Sequence, residues 1–292
     1  MPAYKKQHYL PATYLKYFSD VQSECSRKKS WVWRFDGAEM RRVPVESQCA
    51  KDYFYSKQKA AEIEKHFQKL ENMYGDFVDK VRSGQEPPRI NFGDLFLFMA
   101  DLNLRNAIHK NHTGEEGIEA YEKRLNLFFQ LILMRNTGKE FSVENVKIHI
   151  ASNWRLEIVS APADCQFATS DNPSIFGTCR KPINGRSQLQ LILTPLDPGH
   201  LAIAFDRRIM WVQKMPACIL DVQRLNNAQI SNAENCVYKS TQYTASDLLN
   251  LTGAFSAKGK VVSEVTSERW RSFMLYIPTN YFSFMTMKPP AM

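Results

Sequence analysis

No apolar run in this chain is long enough to cross a bilayer. The longest, LNLFFQLILM at 125–134, has ten residues, against the roughly 18 that spanning requires, and reads as a buried helix. The opening MPAYKKQHYLPA has two lysines but no apolar segment behind them, so no secretory leader and a cytoplasmic location are expected. No CxxC pair occurs. Cys25, Cys49, Cys165, Cys179, Cys218 and Cys236 are scattered, which argues against a zinc site or a disulfide framework and for free, mostly buried thiols. A GxxxxGK(S/T) loop, a GxGxxG turn, a GxSxG elbow and an HExxH helix are all missing. Their absence argues against P-loop enzymes, dinucleotide oxidoreductases, hydrolases of the serine-elbow type and zincin proteases. Internal repeats and low-complexity tracts are missing too.

What is present describes a folded chain. The 292 residues are 44% hydrophobic and 12% aromatic, enough for a substantial core and against disorder. The formal charge is +8, which favours an anionic partner such as nucleic acid, a nucleotide or a membrane surface. CSRKKSWVWRFDGAEMRR holds the densest group of cations, Arg27, Lys28, Lys29, Arg34, Arg41 and Arg42. A solvated basic face and a binding groove are both consistent with that group.

Periodicity divides the chain. SWVWRFDGAEMRRVPV, residues 30 to 45, alternates aromatic and polar positions around Asp36-Gly37, which predicts a hairpin. Ala60, Ile63, Phe67, Leu70, Met73, Phe77 and Val81 form one stripe of a long helix. Two further helices are expected, through NFGDLFLFMADLNLRNAIHK and through EEGIEAYEKRLNLFFQLILMRN. From about residue 145, VKIHIA, WRLEIVSA, QFATSD, LQLILTPL, LAIAFD, ENCVYKS and SFMLYIP read as strands. One helix over 220–235, with Val222, Leu225 and Ile230 inward, interrupts them. The tail FMTMKPPAM is expected to fray. The expected architecture is α+β: an N-terminal β-hairpin, then a helical layer over about 56–136 packed on a mostly antiparallel C-terminal sheet spanning 145–290, in a single integrated domain over 1–292.

Candidate chemistry is sparse. HKNHTGEE groups His109, His112, Glu115 and Glu116, which offers metal-ligand types but equally a solvated helix end. In QFATSDNPSIFG a strand runs into Ser170, Asp171, Asn172 and Pro173, a turn that could hold a carboxylate and a hydroxyl at a rim. Ordinary Asx turns use the same residues. LTPLDPGHLAIAF repeats the theme, but turn chemistry accounts for all of it. In HYLPATYLKYF, a short helix over 10–18 makes Tyr14 and Phe18 core anchors and leaves His8 outside the apolar pattern. His8 is then either an acid/base or phosphate ligand, or an inert capped histidine.

HYLPATYLKYF, KLENMYGDF, ADLNLRNA, FATSDNPSI, LTPLDP and VQRLNNAQISNAENCVYKS, in this order, resemble the domain of unknown function 4238 family, found widely in bacteria. The resemblance implies one integrated domain and selects His8, Glu71, Arg105, Ser170, Asp171 and Asn172 as the polar positions of the family pattern. Together these types suit a metal-assisted phosphodiesterase or nuclease. Glu71 and Asp171 would hold magnesium or manganese, Arg105 a phosphate, and His8 would move a proton. Ser170 completes the catalytic candidates, and Tyr14, Asn172, Arg41 and Arg42 the substrate contacts. An effector of bacterial antiviral defence or a toxin is the corresponding biological expectation. The alternatives are a non-catalytic module binding nucleic acid or a nucleotide through the hairpin, and a protein-interaction module. No membrane partner is expected.

Overall fold

The computed structural model describes residues 6–20, 30–85, 92–105, 121–122, 124–126, 128–129, 143–179, 189–242, 274–278 and 281–287. The chain opens with β1 (Lys6–His8), then α1 (Ala12–Leu15), which tightens into a 3-10 turn over Lys16–Phe18. Pro11 sits at the cap of α1 rather than inside it, so its missing N–H costs no helical bond. The predicted hairpin forms from β2 (Trp31–Phe35) and β3 (Met40–Pro44). Gly37 at its tip has φ +92°, a conformation glycine adopts without strain. β4 (Ala50–Asp52) pairs back with β1.

The helical layer contains α2 (Ala60–Arg82) and α3 (Phe92–Leu104), and the described residues between 121 and 129 are helical as well. α4 (Val143–Asn153) follows and corrects one expectation, because VKIHIA forms its C-terminal turns instead of a strand. The apolar-polar alternation of Val146, Ile148 and Ile150 imitates a strand. Helical geometry separates the two isoleucines, burying Ile150 and leaving Ile148 exposed. The HKNHTGEE segment lies outside the described residues.

Strands β5 (Trp154–Ser160), β6 (Thr169–Ser170), β7 (Ile175–Thr178), β8 (Leu191–Asp197), β9 (His200–Asp206) and β10 (Met210–Val212) come next. They are followed by α5 (Ile219–Asn232), β11 (Val237–Lys239), β12 (Met274–Tyr276) and β13 (Met285–Met287). β10 was not foreseen, and the tail expected to fray supplies β13, its antiparallel partner.

A five-stranded sheet runs in the order β12-β7-β8-β9-β5, antiparallel except between β12 and β7. β8 and β9 are buried along nearly their whole length, because both faces are covered. One face, with Ile192, Leu196, Ala202 and Ala204, meets α2 and α3 through residues such as Tyr74, Phe96 and Leu102. The other, with Leu191, Leu193, Leu201 and Ile203, meets Val222, Leu225 and Ala228 of α5 and Phe282 and Phe284 beyond it. Gly177 lies opposite Leu191 in the β7–β8 ladder, where a Cβ would fall 2.9 Å from the Leu191 side chain and 3.0 Å from that of Ile277, so any larger residue there would have to push these side chains aside. The hairpin is not a separate appendage. It joins a second, four-stranded sheet in the order β3-β2-β11-β6.

Candidate functional site

The polar positions singled out in the sequence fall into three assemblies. The first is centred on Arg105, 1% exposed at the end of α3. Its Nη1 reaches Asp101 Oδ2 and Glu71 Oε1, each at 3.3 Å, its Nε donates to the Tyr55 hydroxyl at 3.1 Å, and its Nη2 to the His8 carbonyl at 2.8 Å. The guanidinium lies 3.8 Å from the centre of the Phe67 ring. Burial works against this charge, but the Tyr55 oxygen and the Asp101 and Glu71 carboxylates outweigh it and hold the Arg105 pKa above its ordinary value. Burial likewise raises Asp101, against the pull of Arg105. Arg124 approaches the same group, and burial pushes its pKa down to about 10.

His8 therefore meets Arg105 through its backbone, not its ring. The ring Nε2 lies 3.2 Å from the Glu46 carbonyl, which can only accept. Glu71 is shared as well, since Thr13 Oγ1 donates to its second oxygen at 3.2 Å. Sequence reasoning missed Tyr55, Asp101, Tyr121 and Glu64 in this neighbourhood. Tyr121 donates to Asp101 Oδ1 at 2.9 Å, and burial raises the Glu64 pKa, opposed by Arg105 and assisted by Glu71. The spacing Glu64, Phe67, Glu71 puts the three on one stripe of α2 and was the available signal.

The second assembly is the SDNP turn, which is tied to α5 and not to Arg105. Ser170 Oγ donates to Gln229 Oε1 at 2.9 Å and accepts the Asn172 N–H at 3.2 Å. The Asp171 carboxylate accepts the Glu234 N–H on one oxygen and the Asn235 N–H on the other, both at 2.8 Å, with Asn235 Nδ2 at 3.1 Å. Asn172 Nδ2 donates to the Asn232 carbonyl, and Asn232 Nδ2 returns a bond to the Asn172 carbonyl. Tyr14, counted among the substrate contacts, is fully buried, and its hydroxyl bonds Thr169 Oγ1 and the Pro195 carbonyl. Next to the turn, Cys49 Sγ lies 3.1 Å from the Tyr238 hydroxyl. Burial raises the Cys49 thiol and lifts Cys236 to about 12, so the surroundings of both favour the thiol over the thiolate.

The third assembly is on the four-stranded sheet. Residues opposite one another in an antiparallel ladder share a face, so register decides what the hairpin presents. Trp33 pairs with Arg42 on one side and Lys239 on the other, and Trp31 pairs with Pro44. Trp31, Trp33, Arg42 and Lys239 thus share one face, with the Arg42 guanidinium 5.2 Å from the Trp31 ring centre. Trp31 is 36% exposed. The far end of this face, at Phe35 and Met40, is closed by Ile230 of α5 and Ala233 just beyond it. Arg34 and Arg41 lie on the opposite side. Arg41 pairs with Glu39 at 2.5 Å and Asp36 at 3.3 Å, while Arg42 pairs with Asp20 at 2.6 Å. The two arginines proposed to act together are separated by the sheet.

The family model described as Protein of unknown function (DUF4238) matches residues 6–242. The chain belongs to the DUF4238 family. No curated protein and no solved structure matches it. The DUF4238 span includes all three assemblies and ends before β12 and β13, which complete the five-stranded sheet and the β10 ribbon. Among the described residues, no group of three or more His, Cys, Asp and Glu side chains is placed to hold a metal ion, and no helix is long and apolar enough to cross a membrane.

Proposed function

We propose that this DUF4238 protein binds single-stranded nucleic acid on the open half of its four-stranded sheet. Trp31 and Trp33 stack on bases, and Arg42 and Lys239 contact phosphates. The observation carrying this reading is the register that places two indoles and two cations alternately on one partly exposed face. Such a platform is tolerant of sequence because every base has a π face, and each stacked base contributes about 1–3 kcal/mol. The net charge of +8 adds long-range attraction to a polyanion. Fluorescence anisotropy with labelled single- and double-stranded DNA and RNA tests it. Trp31→Ala should weaken single-strand binding roughly tenfold, and Arg41→Glu, on the opposite face, should change it far less than Arg42→Glu. Equal losses from both arginines, or none from Trp31→Ala, would defeat the reading.

A second reading adds hydrolysis of the bound strand beside Arg105. Support for a two-carboxylate metal site is weak, because each oxygen of Glu71 and of Asp171 already accepts from a protein donor. The observation that favours acid-base chemistry there is Glu64, a half-buried carboxyl kept protonated to higher pH next to Glu71 and Arg105. Cleavage assays with magnesium, manganese or chelator, on the wild type and Glu64→Gln, separate binding from cutting.

A further inference from the structure

The molecule carries a second exposed surface that the nucleic-acid reading does not use. Residues 207–220, RRIMWVQKMPACIL, contain three cations and no acidic residue. Within them Trp211 and Ile219 are each 59% exposed, Leu220 48% and Met215 38%. One strip of chain ties the start of α5 to β10. Ser283 donates to Asp221 in the first turn of α5, Gln213 N donates to the Phe284 carbonyl at 2.9 Å, and Thr286 pairs with Trp211. Ser283 and Phe284 turn directly into β13, and four residues of chain reach no further than about 10 Å, so the exposed apolar residues at the start of α5 and on β10 belong to one region of the surface. Arg207 and Lys214 lie exposed within the same stretch.

We propose that this patch docks on an anionic lipid bilayer. Trp211, Ile219 and Leu220 enter the headgroup boundary, and Arg207 and Lys214 meet lipid phosphates. A tryptophan amid aliphatic side chains and flanked by cations is the composition of an interfacial anchor, in which apolar burial and attraction to anionic headgroups add. Trp211 and Ile219, each more than half exposed, project outward, which suits insertion into a soft interface better than reception of a peptide. A second copy of the chain is disfavoured because a two-fold contact through the patch would bring cations of one copy against those of the other. No spanning helix is involved.

Co-sedimentation with vesicles of phosphatidylcholine alone, and of phosphatidylcholine with phosphatidylglycerol, tests the proposal. Binding is expected only to the anionic vesicles, with a fall of roughly tenfold or more in Trp211→Ala/Ile219→Ala and a smaller fall in Lys214→Gln. Both variants should melt with the wild type, since the substituted side chains are exposed. Trp31→Ala, on the nucleic-acid face, should bind vesicles normally, so failure of one surface is distinguishable from failure of the other. Binding to neither vesicle, equal binding to both, or loss of binding in Trp31→Ala would overturn the proposal. A concentration-dependent dimer abolished by Trp211→Ala/Ile219→Ala would overturn it in favour of self-association.

Discussion

Arg105 shows how a family-pattern residue can hold a fold together. Its fork meets two carboxylates, a tyrosine hydroxyl and a backbone carbonyl through four of its five N–H groups, and the residue is almost wholly buried. Removing one partner of such a buried group strands the others, typically at about 3–5 kcal/mol. Arg105→Met should therefore lower the urea midpoint sharply, and Arg105→Lys should rescue little of it, because a point charge cannot serve four separated acceptors. A midpoint close to wild type would show that the cluster is dispensable for folding. Glu64 makes the opposite prediction. Its pKa is raised in the folded state, so its ionisation costs stability as pH rises through that value, and the full contribution is present only below the ordinary carboxylate range. Glu64→Gln should melt above the wild type at neutral pH, with the gap closing in acid. A variant melting lower at neutral pH would mean that Arg105 stabilises the ionised carboxylate more than burial opposes it.

At the scale of elements, α5 and the SDNP turn form one unit. Asn226, Gln229 and Asn232 lie on one stripe of the helix and bond Ala168 N, the Gln166 carbonyl, Ser170 Oγ, the Pro173 carbonyl and the Asn172 carbonyl. Gln229→Ala leaves the buried Pro173 carbonyl and Ser170 hydroxyl each without this partner, a cost of about 1–3 kcal/mol. Amide exchange should accelerate in residues 169–174 together with α5. Acceleration in α5 alone would show that the turn stands independently. This unit also explains what could be read in advance. The stripe Val222, Leu225 and Ile230 revealed which side of the helix faces inward, and Asp36-Gly37 located the hairpin. Hydrophobic period says nothing about where polar side chains find partners, and Gln229 and Pro173 are 56 residues apart in the chain. The carboxylates of Glu71 and Asp171 looked like a pair because the family resemblance selected both, and only the register and the helix packing assigned them to separate networks. Arg41 and Arg42 were equally adjacent in sequence, and the two-residue period of β3 put them on opposite faces.

For the whole molecule, the charge of +8 has to be weighed against its pairing. Arg41, Arg42 and Arg208 each hold an acidic neighbour, so net charge overstates what is available to a ligand, and exposed pairs of this kind are individually weak. A polyanion can displace them, at the cost of a steep salt dependence. Each phosphate contact on a single strand should contribute about −0.7 to the slope of log K against log salt. The account rests on where the strand lies, and photo-crosslinking locates it directly. A single-stranded oligonucleotide would be irradiated with the intact protein and the linked peptides mapped by mass spectrometry. The account predicts crosslinks at Trp31 and Trp33, lost on raising salt. Crosslinks confined to residues 64–71 or 207–220, with the Trp31–Arg42 peptides unmodified, would contradict it.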